Sequence, residues 1–192
     1  MTSRRSVVLG VLLAMILVLP SVLADTEAQV SAARAYFGDV TLVDQAGQSV
    51  RLYDDLIQGH VVVIGTFFTT CTGACPPLMQ KLLAIQREFI DHMGRDLRIM
   101  SISVDPTHDT PPRLKEYAQR LGAGPGWYLL TGDETVTALK KLGQYVKEPI
   151  NHSNVVLIGN ERTGLWKKAF GFAKTDELFR LVDEVINDPG EN

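Results

Sequence analysis

Val61-Val62-Val63-Ile64-Gly65-Thr66-Phe67-Phe68-Thr69-Thr70-Cys71-Thr72-Gly73-Ala74-Cys75-Pro76-Pro77 is the stretch that decides the fold. Val61 to Phe68 is a continuous apolar, β-branched and aromatic run, the pattern of a strand buried on both faces. Pro76 and Pro77 suit the first turn of a helix, where a missing N–H is no loss. Leu78, Leu82, Ile85 and Phe89 then keep helical spacing up to Met93-Gly94. Two cysteines therefore lie where a core strand meets its helix. At i and i+4 near a helix start they project from the same side. Unpaired N–H groups and the helix dipole there favour the thiolate, the form that binds metal or attacks disulfides.

Outward from this stretch, buried strands alternate with helices. Upstream, Val40 to Val43 and Ser49 to Leu52 flank Asp44-Gln45-Ala46-Gly47 and predict a β-hairpin, followed by a helical turn over Tyr53 to Gln58. Downstream, Leu97 to Val104 predicts a second buried strand, Pro111 to Leu121 a helix, Trp127 to Leu130 a short strand and Glu134 to Leu142 a short helix. Asn154 to Ile158 and Leu165 to Ala169 predict an antiparallel pair around a turn at Gly159 to Gly164. Thr175 to Ile186 closes as a helix with Thr175 as its N-cap. Parallel strands first, an antiparallel pair later and cysteines at the first strand–helix junction predict an α/β, thioredoxin-like fold. Its central mixed sheet is flanked by helices, with an extra N-terminal β-hairpin, and forms one domain over residues 25–192.

Residues 1–24 read as a secretory signal peptide. Arg4 and Arg5 precede an apolar core from Val7 to Leu19, and Val22-Leu23-Ala24 supplies the cleavage site. An uncleaved anchor needs ~20 apolar residues, which this core reaches only by including Pro20 and Ser21, so length favours cleavage and no stable membrane anchor. The expected location is the periplasm, where cysteines either oxidise or are kept reduced for a purpose. The chain has 192 residues, 45% of them hydrophobic and 21% charged, which excludes disorder and coiled coil as whole-chain readings. Beyond Ala24 there are 17 basic against 22 acidic residues, from totals of 19 and 22. That balance offers no basic excess to neutralise phosphates, and we expect no nucleic-acid partner.

Three chemistries compete for Cys71 and Cys75. A structural disulfide across so short a loop removes little unfolded-chain entropy. Thiol–disulfide exchange suits the location, although its usual motif has two intervening residues rather than three. A soft-metal site needs a further ligand. His60 and His92 sit where solvated or capping histidines are common, whereas His108 lies in a polar loop at a strand end and stays a candidate. His152, in Pro149-Ile150-Asn151-His152-Ser153, precedes the strand whose entering segment crosses the cysteine loop in the inferred fold. Two thiolates and an imidazole are a soft donor set suited to copper(I). A closed zinc site wants a fourth protein ligand. Asp105, after a strand and before Pro106, starts a turn, and Asp109, before Thr110-Pro111-Pro112, caps a helix. Phe67, Phe68 and Trp127 are core, while Trp166 is either core or an exposed docking residue.

The chain resembles the Sco/SenC family of copper proteins. The resemblance rests on the aromatic strand before Cys71, the C-x3-C-P motif from Cys71 to Pro76, Val104-Asp105-Pro106 with Asp109-Thr110-Pro111, and His152-Ser153 before an apolar strand. It implies that Cys71, Cys75 and His152 are copper ligands and that the protein is a metallochaperone for the dinuclear copper centre of cytochrome c oxidase. An oxidase subunit and a thiol reductant are then its partners. The chain departs from the family at Thr72 and Gly73, where many members carry Pro and an acidic residue, and at Asn151, where an acidic residue is frequent. The alternative is a thiol–disulfide oxidoreductase with Cys71 and Cys75 as redox-active thiols and His152 incidental. A peroxide-reducing enzyme, with Cys75 resolving a sulfenic acid on Cys71, is a third reading.

Overall fold

The computed structural model describes residues 33–38, 40–152 and 154–190; the expected signal segment lies outside them. β1 (Thr41–Val43) and β2 (Ser49–Arg51) pair antiparallel as the predicted hairpin. Its turn is closed by the Asp44 carboxylate, which accepts the Ala46 and Gln48 amides at 2.8 and 2.9 Å, as an aspartate in a turn does when its side chain imitates backbone. Leu52–Ile57 follows as one wide helical turn.

The main sheet has the order β5-β4-β3-β6-β7. β3 (Val61–Phe67) is central and buried along its whole length, which is why its sequence shows no polar alternation. It runs parallel to β4 (Leu97–Ser103) and antiparallel to β6 (Val155–Asn160). β5 (Trp127–Leu130) lies parallel outside β4, and β7 (Trp166–Phe170) antiparallel outside β6. The helices are α1 (Cys75–Glu88), α2 (Pro111–Leu121), α3 (Thr135–Lys141) and α4 (Thr175–Ile186).

Three helices share one face of the sheet. A Cβ at Gly65 would stand 3.5 Å from Leu82 of α1, the Phe67 ring lies 5.4 Å from Tyr117 of α2, and the Asn160 amide donates to Val185 O of α4 at 3.0 Å. The free edge of β5 is covered by the hairpin. Gln45 donates to Trp127 O at 2.8 Å and accepts the Leu129 amide at 2.9 Å, so its carboxamide stands in for a neighbouring strand.

Two local expectations change. β6 runs on through Gly159 and Asn160, and its partner is Trp166–Phe170 rather than Leu165–Ala169. Gly159 is not a turn residue: it pairs with Trp166, and any Cβ there would stand 2.3 Å from the indole. Glycine is needed to seat that ring, which also packs 5.8 Å from Phe37. Trp166 is thus a partly covered lid on the sheet, 37% exposed. Thr175 is the first helical residue of α4 and makes no capping bond; Asp176 and Glu177 in the first turn supply the favourable charge instead.

Candidate metal centre

Cys71 lies in the loop leaving β3, its amide donating to Phe68 O at 3.1 Å. It is half-buried, whereas Cys75, the first residue of α1, is fully buried. The first amides of a helix have no intrahelical acceptor, and that of Cys75 points at the Cys71 sulfur, 3.4 Å away.

His152 reaches the same corner from the opposite direction. β6 pairs with β3 so that Val61 faces Asn160 and Ile64 faces Leu157. The same register carried onward sets the residues before β6 beside the loop that leaves β3. Pro149–Asn151 form a single tight turn, and His152 follows it directly. Its Nε2 stands 3.2 Å from Cys75 Sγ, its Nδ1 3.3 Å from Thr66 Oγ1, and its ring meets Phe68 edge-on at 5.7 Å. A second contact on the far nitrogen orients an imidazole and frees the near one for a ligand. The two sulfurs and an imidazole nitrogen lie within 4.8 Å of one another, the one such group of three among the described residues. That span is about twice a metal–sulfur bond of ~2.3 Å. Two thiols and one imidazole fit a soft ion and leave its remaining side open.

Burial pushes the Cys75 thiol up to about 12, and its hydrogen bond with Cys71 adds to the rise. Tyr117 on α2 is pushed up to about 12 as well, by burial and then by the charge on the two sulfurs beside it. Without metal, Cys75 is therefore a neutral thiol in contact with His152 Nε2, its burial outweighing the pull of the helix start toward the thiolate. An ion entering the site takes the place of that proton.

The other histidines are elsewhere. His108 has a side chain 65% exposed and is held by Asp105 Oδ1 at 2.9 Å, so it does not join the cysteines. Asp105 also accepts from Thr107 Oγ1 at 2.9 Å, the expected turn. His92 pairs with Asp96 at 3.1 Å, and burial lowers the pKa of His60.

Asp109 departs from expectation. It does not cap α2, whose N-cap is Thr110 without a side-chain bond. Buried to 1% exposure, it turns back under the cysteine loop. There it accepts the Thr69 amide at 3.1 Å, the Thr69 hydroxyl, and the Ser103 hydroxyl at 2.6 Å. The signal in the sequence was a set of hydroxyls, Thr69 and Ser103, at the ends of two neighbouring strands with a carboxylate close by.

The profile of the SCO1/SenC family matches residues 28–167. The chain belongs to the SCO1/SenC family. The SCO1 protein homolog of Bacillus subtilis is 31% identical over 121 residues, which cover 60% of this chain and 61% of that protein. Among solved structures, Arabidopsis thaliana ScoI with copper bound is 25% identical with a TM-score of 0.65, over 79% of this chain and 98% of that one. BsSco, described with a disulfide switch and as a member of the Sco family of cytochrome c oxidase assembly proteins, is 27% identical with a TM-score of 0.63, over 76% and 90%. The fold of this Sco/SenC chain is thioredoxin-like, as the order of its elements led us to expect. Its inter-cysteine loop is uncharged, with Thr72 and Gly73 exposed and nothing within 4 Å of where a Gly73 Cβ would stand. Among the described residues no helix is long and apolar enough to cross a membrane.

Proposed function

We propose that this protein is an exported copper metallochaperone that binds copper through Cys71, Cys75 and His152. It delivers the metal to the dinuclear copper centre of a cytochrome c oxidase or a similar copper enzyme. The observation that carries this reading is the convergence of two sulfurs and an imidazole nitrogen within 4.8 Å, from a loop, a helix start and a segment far along the chain. Dithiol exchange needs no such third donor. The copper-bound Arabidopsis neighbour and the family membership support the choice of metal.

The chain's own residues have separable roles. Cys75 gives up its thiol proton and becomes the buried anchor. Cys71 supplies the half-exposed thiolate, and His152 supplies Nε2 from a ring whose Nδ1 is held by Thr66. Three protein ligands leave a side open for a client's ligand to enter before these leave. Oxidation of Cys71 and Cys75 to a disulfide removes the charge that copper needs, so a thiol reductant must act first. The signal peptide over residues 1–24 places both events outside the cytoplasm.

Titration of reduced protein with copper(I), with metal content of wild type and of Cys71→Ala, Cys75→Ala and His152→Ala, tests the ligand set. One copper per wild-type chain and weakened binding in all three variants is expected; tight binding by His152→Ala would defeat it. The half-exposed Cys71 beside a buried Cys75 favours one second reading, thiol–disulfide exchange with an extracytoplasmic partner. A deletion strain grown at low copper separates the two. Metal delivery requires that His152→Ala and Cys71→Ser both fail to complement, with rescue by added copper. Exchange alone predicts that only Cys71→Ser fails.

A further inference from the structure

We propose that Asp109 is the positioning residue of the cysteine loop, holding Cys71 through Thr69 at the place where its sulfur meets Cys75 and His152. The proposal rests on the ligand set given above and concerns a residue outside it.

The three donors are anchored in different ways. Cys75 is part of α1, and His152 is fixed by Thr66 and Phe68. Cys71 depends on its loop. Beyond it, Thr72 and Gly73 are exposed, and a Gly73 Cβ would touch nothing. Before it, Cys71 N bonds to Phe68 O, and the next residue, Thr69, is gripped at both amide and hydroxyl by Asp109. Asp109 is itself fixed by the Ser103 hydroxyl at 2.6 Å, and Ser103 Oγ accepts the Asp105 amide at 3.0 Å. One carboxylate thus ties the ends of β3 and β4 together directly beneath the cysteine loop.

The chemistry favours a carboxylate for this task. All the groups facing it donate, and an ionised aspartate is acceptor-only. Taking such a group out of water is costly unless hydrogen bonds replace the lost hydration, and here the replacements come largely from the residue two before Cys71. The carboxamide of Asp109→Asn would turn an NH2 group toward donors and leave at least one unmatched. Loosening the clamp frees Cys71 while Cys75 and His152 stay in place. Residues that orient metal ligands from behind typically account for about 10–100-fold in metal affinity, and that is the range expected here.

The test compares wild type, Asp109→Asn, Thr69→Val and Asp105→Asn as reduced full-length mature protein. Three quantities are read: copper(I) affinity by competition with a chromophoric chelator, the alkylation rate of Cys71 without metal, and Tm. Asp109→Asn should lose about 10–100-fold in affinity and alkylate faster at Cys71. Thr69→Val, which keeps the amide bond and loses the hydroxyl, should fall between it and wild type. Asp105→Asn should match wild type in both. If Asp109→Asn does not fold, Thr69→Val carries the test. A purely structural role would lower Tm and leave affinity and alkylation of the folded protein unchanged, and that result overturns the proposal. So does an Asp105→Asn variant as impaired as Asp109→Asn. If wild type binds no copper through the three ligands, the functional reading fails, while the alkylation rates still decide the clamp.

Discussion

Copper binding should be linked to a proton at Cys75 over an unusually wide pH range. The thiol is buried against His152 and Cys71 and pushed up to about 12. At pH 7 the metal-free site then holds its thiolate in only about one molecule in 10^5, against about one in 30 for a thiol titrating near 8.5. That rise, from burial first and then from the bond and charge of Cys71, weakens metal affinity at neutral pH by roughly three powers of ten. The sign follows directly. The metal-bound form has lost the proton and the free form keeps it, so affinity rises with pH. Through Cys75 alone, log K gains one unit per pH unit, and the gain continues past the ordinary thiol value. Anaerobic competition with a copper(I) chelator of known pH dependence, from pH 6 to 10, measures the slope. A slope of at least one throughout is expected. A plateau between pH 8.5 and 10 would show that Cys75 is an ordinary thiol and that its burial carries no electrostatic consequence.

The two sulfurs should also differ in reactivity: without metal, iodoacetamide modifies half-exposed Cys71, while the Cys71→Ser variant is modified at buried Cys75 only on unfolding, as peptide mass mapping would show. Gly126→Ala should destabilise the fold by more than about 2 kcal/mol in urea unfolding. Its φ is +82° and the new Cβ would stand 2.4 Å from the Gly94 nitrogen. Gln45→Ala removes two bonds to the β5 edge, at 2.8 and 2.9 Å, and should cost about 1–3 kcal/mol; an unchanged urea midpoint would mean that water serves that edge equally well.

Val61–Phe67 and its following helix were legible in the sequence because each obeys a local rule. An unbroken apolar run with prolines behind it has few other solutions, and α2, β5 and α4 span the predicted residues. His152 could be read only through the fold, since nothing in its neighbours marks it as facing a cysteine loop from another strand. The misreadings share one cause. Asp109 stands before Thr110-Pro111-Pro112 and obeys the rule for a helix cap, yet its partner Thr69 is 40 residues away. Gly159 obeys the rule for a turn, yet its lack of a side chain serves Trp166 on the next strand. Gln45 looked like any turn residue until β5 was seen to need an edge partner. In each case a tertiary contact uses the residue for something its neighbours do not reveal.

The asymmetry of the two sulfurs connects the proposed copper chemistry with the proposed redox chemistry. Cys75 has no exposed surface and sits behind His152, so a second protein can reach the pair only from the side of Cys71. A reductant's thiolate that attacks Cys71 Sγ breaks the Cys71–Cys75 bond and sends the electron pair to Cys75 Sγ, whose high pKa makes it take up a proton. Its second thiol then displaces Cys71 and leaves the reductant as the disulfide. A copper-accepting client must approach by the same face, because the open side of a three-ligand site is the side without protein. On the proposed function, reductant and client would share one surface, in the order reduction, copper loading and docking. The uncharged Thr72-Gly73 loop forms part of that face. It offers a charged partner no counter-charge of its own.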